Sequence, residues 1–144
     1  MSEVDEAIKL ENQLCFPLYA CSKEIVKRYK PFLDEIDLTY TQYIAMMVLW
    51  ENDGMSAKEL AKKLFLDSGT LTPVLKKLEK KGYISRGRSE EDERTLLLEI
   101  TDKGNELKEK AARIPEKMSG FIRLSQEEAQ SLYIILYKIL DNLQ

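Results

Sequence analysis

The 144-residue chain has no histidine, only two cysteines, and no apolar run near the ~18 residues that a membrane-spanning helix requires. Without histidine it builds no Ser–His or Cys–His catalytic pair of its own, and a zinc site would depend on carboxylates and two thiols. Those thiols, Cys15 and Cys21, are not a C-x-x-C pair, which removes a thioredoxin-type dithiol. The expectation is a protein that is not an enzyme and carries neither metal nor cofactor. The opening MSEVDEAIKLE is acidic and lacks the basic-then-apolar order of a secretory signal, so a cytoplasmic location is expected. An apolar content of 44% excludes a disordered chain.

The net charge of −3 is unevenly distributed. Between residues 76 and 88, Lys76, Lys77, Lys80, Lys81, Arg86 and Arg88 face Glu79 alone, a local +5 that leaves −8 for the rest. Only a contacting face has to be positive for a protein to bind a polyanion.

Apolar periodicity gives the element order. Leu10, Leu14, Leu18, Ile25, Tyr29 and Phe32 recur at helical spacing, predicting one helix over about 7–32. Pro17 within it should kink that helix or restart it near Cys15. Thr39 and Gln42 form a capping box opening an apolar helix over 40–50. Ser56 and Glu59 form a second box for a short helix through Leu64, and a further helix spans about 69–81, stopped by Gly82. The pattern then becomes extended, with strands at 83–86 and 96–100 around a charged tip, 89–94. Thr101 starts a helix to about residue 113, followed by Pro115. Ser125 and Glu128 box a last helix with a broad apolar stripe through Leu132, Ile135, Leu136, Ile139 and Leu143.

The fold class is therefore mainly α with a small β-hairpin: a winged helix-turn-helix flanked by N- and C-terminal helices. The lobe is placed at about 38–104, and the flanking helices at about 7–36 and 105–144. A helix is the right width for the DNA major groove. The helix at 69–81 is the one expected to enter it. Ser68, Thr70 and Thr72 offer short hydroxyls to phosphates or base edges, and Lys76 and Lys77 follow one turn later. Arg86 and Arg88 lead into the wing and Arg94 leads out, where an arginine can reach the minor groove; Asp92 is placed to orient Arg94.

Residues 67–73, Asp-Ser-Gly-Thr-Leu-Thr-Pro, with the following Leu75-Lys76-Lys77-Leu78-Glu79, resemble the recognition helix of MarR-family regulators. The segment from Arg88 to Arg94 looks like that family's wing with its D-x-R element. Residues 10–16, Leu-Glu-Asn-Gln-Leu-Cys-Phe, look more specifically like the organic-hydroperoxide-sensing OhrR branch of one-cysteine type. The resemblance implies that the flanking N- and C-terminal helices are dimerisation helices. It implies a homodimeric repressor on an inverted-repeat, double-stranded operator, released when a cysteine is oxidised by an organic hydroperoxide and capped by a small cellular thiol. Carried onto this chain, Cys15 is the sensor. Tyr29 and Tyr40 match the branch's tyrosines that hydrogen-bond the sulfur from the other subunit, and Tyr19 joins them. The chemistry is sound, because a thiolate attacks peroxides and phenolic donors aimed at sulfur favour the anion. A MarR-type repressor answering a small ligand, a global redox or virulence regulator, and a cysteine-based thiol peroxidase are the alternatives. The peroxidase lacks an arginine near its cysteine and leaves the basic helix without a role.

Overall fold

The structure is a computed structural model that describes residues 2–144. Its contacts divide it into two compact units, one running through Ile114 and the other from Pro115 to Gln144.

The first unit opens with α1 (Glu3–Ala7), capped by a reciprocal Ser2–Asp5 box, and a single 3-10 turn over Leu10–Asn12. The long helix α2 (Cys15–Asp34) follows. The expected continuous helix over 7–32 is thus interrupted. The Asn12 side-chain amide donates to the Glu6 carbonyl, and that of Gln13 to the carbonyls of Ala7 and Lys9, all at 2.7 Å. These bonds occupy acceptors that a continuing helix would have used. The restart reading at Pro17 holds, because α2 begins at Cys15 and places Pro17 in its first turn, where the missing N–H has no partner to lose. Pro31, by contrast, lies inside α2 and does not end it. The chain turns at Asp37, whose φ is 54°, with the Leu38 N–H bonded back to the Leu33 carbonyl.

Helix α3 (Tyr40–Glu51) carries the expected Thr39–Gln42 box and buries Tyr43, Ala45, Met46 and Leu49. It packs against α2, later helices and the hairpin, which explains its apolar character on nearly every side. Helix α4 (Ala57–Lys63) is capped in one direction only: the Ser56 hydroxyl accepts from the Glu59 N–H, and no reciprocal bond from Glu59 completes a box. Phe65, at φ 56° and half-exposed, turns the chain into α5 (Ser68–Lys80), which starts at the Asp67 cap. Gly82, at φ 84°, closes α5: its N–H bonds the Glu79 carbonyl and that of Tyr83 the Leu78 carbonyl. A left-handed residue is needed there, and glycine takes that conformation without strain.

Strands β1 (Ile84–Arg88) and β2 (Leu96–Ile100) pair antiparallel, with Ile84 opposite Ile100 and Arg88 opposite Leu96. A bridge from Ser56 to Leu97 ties the hairpin to the start of α4. Helix α6 (Asp102–Ala111) is capped by Thr101. The core of this unit gathers Leu33, Met46, Leu49, Leu60, Leu71, Leu78 and Leu98, all essentially inaccessible to solvent.

Helix α7 (Ile114–Ile122) has no counterpart among the sequence expectations. Pro115 marked a stop there; in fact it sits in the first turn of a new helix, the one part of a helix that accepts proline cheaply. The Ser125–Glu128 box is complete and opens α8 (Gln126–Asn142), none of whose residues is buried. No helix among the described residues is long and apolar enough to cross a membrane.

Candidate nucleic-acid interface and thiol site

Helix α5 is built to present one face. Leu71, Leu75 and Leu78 are buried, which turns Ser68, Thr70, Thr72, Lys76 and Lys77 outward, all exposed. The Asp67 carboxylate accepts the Thr70 N–H at 2.6 Å, and bonds from the first-turn amides hold it below the usual carboxylate range. The Thr72 hydroxyl donates to the Ser68 carbonyl at 2.7 Å, so its proton is engaged while its lone pairs stay open to a donor. Pro73 removes the amide that would have bonded the Gly69 carbonyl within α5. One carbonyl near the exposed end is thereby released for other donors.

The wing arginines separate into two kinds. Arg86 is largely covered, and its guanidinium bonds the Glu79 carboxylate at 3.1 Å, fastening β1 to α5. That hydrogen bond, with the positive charge behind it, keeps the Glu79 carboxyl below its ordinary range. The Arg86 Nε is buried without a partner. Arg88 and Arg94 are exposed, and the Arg88 guanidinium reaches the Arg94 carbonyl at 3.5 Å. Asp92 acts on the tip through the backbone: its carboxylate accepts the Arg94 N–H at 3.0 Å and the Thr95 hydroxyl at 3.2 Å. It therefore folds the turn from which Arg94 projects; among the described ion pairs none joins Asp92 to the Arg94 guanidinium.

An open groove of about 820 Å³ lies between α4, α5 and the wing, with Lys58, Lys62, Ser68, Thr72, Arg86 and Arg94 on its walls. Lys58 and Lys62 were not among the sequence candidates. Their signal was present, since both lie on a short helix whose buried side is fixed by Leu60 and Ala61. Lys81 is not presented to solvent with the other cations of the basic segment, because its ammonium is engaged by Asp37 and Gln42.

Cys15 is the first residue of α2 and is exposed; Tyr19, one turn further on, is also exposed. Cys21 is exposed as well. Tyr29 and Tyr40 come together as expected, with ring centroids 4.9 Å apart. Tyr43, which the sequence reading missed, completes the cluster at 5.8 Å from Tyr29 and 6.3 Å from Tyr40. Its signal was its position three residues after Tyr40 on the same helix. Burial raises the pKa of the Tyr29 and Tyr40 phenols, and burial with the neighbouring phenols pushes Tyr43 up to about 12. All three therefore remain O–H donors at neutral pH. Tyr29 follows Cys15 by fourteen residues on one helix, roughly 21 Å along its axis. Within one chain the sulfur and the cluster do not meet.

Apolar side chains stand exposed where a monomer would not place them. On and before α2 they are Leu10, Leu14, Leu18 and Tyr19; on α8 they are Leu132, Tyr133, Ile134 and Ile135. No group of three or more metal-ligating side chains gathers among the described residues.

The family model described as transcriptional regulator SarA/Rot matches residues 27–111. The organic hydroperoxide resistance transcriptional regulator of Bacillus subtilis is 50% identical over 136 residues, covering 94% of this chain and 92% of that protein. The HTH-type transcriptional regulator SarZ of Staphylococcus aureus is 46% identical over 123 residues, covering 85% and 83% respectively. Among solved structures, reduced AbfR bound to DNA superposes with a TM-score of 0.80 at 33% identity, covering 98% of both chains. AbfR is a protein of Staphylococcus epidermidis, and its overoxidised form on DNA gives 0.78 at 32% identity, covering 98% and 99%.

Proposed function

Since the chain belongs to the SarA/Rot family of MarR-like winged-helix transcriptional regulators, we propose that it is a homodimeric cytoplasmic repressor released from its operator by oxidation of Cys15. It is a transcriptional regulator and not an enzyme. Residues of about 38–104 form the DNA-binding lobe, and those of about 7–36 and 105–144 the dimerisation arms. Ser68, Thr70, Thr72, Lys76 and Lys77 meet the major groove and its phosphates, Arg88 and Arg94 the adjacent minor groove, and Lys58 and Lys62 the flanking backbone. Arg86 and Asp92 contribute by holding the wing in place. A two-fold dimer reads an inverted repeat.

The observation that carries the sensing role is an exposed Cys15 at the start of α2, in a chain that collects its three protonated phenols about 21 Å away. A second copy running antiparallel along α2 brings the partner's phenols to each sulfur, and the apolar side chains exposed on α2 and, separately, on α8 supply surface for that pairing. The likeness to a hydroperoxide resistance regulator and to a regulator studied in reduced and overoxidised forms on DNA supports the same reading.

The chemistry runs in two balanced steps. The Cys15 thiolate attacks the terminal oxygen of an organic hydroperoxide; the S–O bond forms as the O–O bond breaks, and the alkoxide leaves and takes up a proton as the alcohol. A small cellular thiol then attacks the sulfenic sulfur, forming a mixed disulfide while the oxygen departs as water. The phenols lose an anionic acceptor and gain a bulky neighbour, and the dimer shifts its two recognition helices out of register.

The test is binding of wild type and Cys15→Ser to the DNA upstream of the protein's own gene, with and without tert-butyl hydroperoxide and free cysteine. Release of wild type alone is expected. Equal release of both proteins, or of neither, overturns the sensing role and leaves a repressor answering a small ligand.

A further inference from the structure

Lysines at the end of a DNA-reading helix are ordinarily solvated or spent on phosphate. Lys81, the C-cap of α5, is placed otherwise. Its side chain is three-quarters covered, and its ammonium lies 2.6 Å from the Asp37 carbonyl, 2.9 Å from the Gln42 Oε1 and 3.5 Å from the Asp37 carboxylate. An ammonium has three protons to give; two are donated to the Asp37 carbonyl and the Gln42 Oε1, and the Asp37 carboxylate adds an ion pair, all at the α2–α3 junction.

Both acceptor residues are themselves fixed. Asp37 sits in the left-handed region at φ 54°, with the Leu38 amide bonded across it to Leu33. Gln42 is buried, and the same Oε1 that takes the Lys81 proton also accepts the Thr39 N–H at 3.1 Å as part of the α3 cap. A single oxygen thus joins the first turn of α3 to the last turn of α5. Tyr40 and Tyr43, which flank Gln42 on that first turn, carry the ring cluster with Tyr29 of α2. On the other side, the Lys81 carbonyl accepts from the Lys103 ammonium at 2.8 Å, so the end of α5 is held from two directions.

We propose that Lys81 is a positioning residue coupling the tyrosine-bearing start of α3 to the seating of the recognition helix, and that it thereby sets how strongly a change at the tyrosines is felt at DNA. The second half rests on the redox reading of Cys15; the coupling itself does not. Geometry supplies the leverage. The thirteen-residue α5 is about 20 Å long, so a tilt of about 5° at its Lys81 end moves Ser68 and Thr70 by roughly 2 Å. That is most of a hydrogen-bond length at a groove contact.

The experiment uses the full-length reduced protein and a duplex selected by it from a randomised library, with backbone hydrogen exchange followed in residues 36–43. In wild type the duplex slows exchange in that segment. In Lys81→Met the slowing falls at least fivefold while α5 remains protected, and Lys81→Arg, which keeps the charge and donors, restores part of it. Equal slowing in wild type and Lys81→Met, or none in wild type, overturns the coupling. Lys81→Gln, uncharged and too short to span, replaces Lys81→Met should the latter not fold by circular dichroism. A second arm compares duplex affinity before and after tert-butyl hydroperoxide with free cysteine. The ratio in Lys81→Met is expected to fall about tenfold towards unity, and an unchanged ratio overturns the role in signalling. A wild type indifferent to oxidant defeats the Cys15 reading and the signalling role together, while the exchange result still decides whether Lys81 couples.

Discussion

Replacing Gly104 with alanine tests whether the docking of α6 on the hairpin is as tight as the structure has it. Helix propensity by itself favours alanine over glycine by about 0.5–1 kcal/mol at an interior helix position. Gly104 lies in the first turn of α6, buried; its N–H is taken by the Thr101 hydroxyl at 3.1 Å and its carbonyl by the Trp50 indole N–H at 2.9 Å. A Cβ there would overlap the Tyr83 carbonyl oxygen and stand 2.8 Å from the Ile100 Cγ2. The Tyr83 carbonyl is backbone, and it already accepts the Thr101 N–H at 3.1 Å, so it has no rotamer through which to withdraw. Relief therefore requires α6 to move off the sheet. Overpacking of that kind costs about 1–3 kcal/mol, and a stretched Trp50 bond adds up to about 1 kcal/mol. A clash with rigid backbone falls in the upper half of that overpacking range, so after the propensity gain is subtracted Gly104→Ala should be destabilised by about 1–3 kcal/mol. Urea unfolding at one fixed protein concentration is the assay. Trp50 is the only tryptophan and its indole bonds Gly104 directly, so its fluorescence reports the right region. With a denaturant slope of about 2 kcal/mol per molar, the midpoint should fall by roughly 0.5–1.5 M. An unchanged or raised midpoint would mean that propensity wins and that the close approach of α6 to Tyr83 does not exist in solution.

Two further outcomes are expected. Lys76→Ala should weaken binding alike on preferred and unrelated duplexes and lower the slope of log affinity against log salt by about one, read by fluorescence anisotropy across a salt series; a loss confined to one sequence would place Lys76 on a base edge instead. The phenol cluster should make the fold alkali-sensitive. An unfolded tyrosine ionises near 10 while Tyr43 holds its proton to about 12, so this contribution is complete below pH 10 and drains away between 10 and 12. The urea midpoint should drop across that interval and drop less in Tyr43→Phe; parallel pH profiles for the two proteins would count against the cluster as its source.

The helices were legible in the sequence where a signal was local and unambiguous. Thr39 with Gln42, Gly82 after α5 and Ser125 with Glu128 all mark boundaries that the structure keeps within a residue or two. What escaped depended on a second partner. Helical spacing from Leu10 to Phe32 could not reveal that Asn12 and Gln13 turn back onto the carbonyls of α1. Pro115 reads equally as the end of one helix or the first turn of the next, and only packing chose the second. At the site, composition identified Lys81 and Arg86 as cations of one basic segment. Their acceptors, Asp37, Gln42 and Glu79, lie 44, 39 and 7 residues away, and the pairings exist only after folding. Tyr19, Tyr29 and Tyr40 were named through likeness rather than spacing, and the third ring of the cluster, Tyr43, needed the structure.

The uncovered stripe on α8 bears on turnover. A helix of seventeen residues is near the length at which isolated helices are only marginally stable in water, and none of its side chains is buried in a single chain. Where no second copy arrives, this segment frays and offers Tyr133, Ile134 and Ile135 to any protease that cuts exposed apolar sequence. Pairing that covers the stripe would withhold these side chains, so resistance to protease should rise with protein concentration.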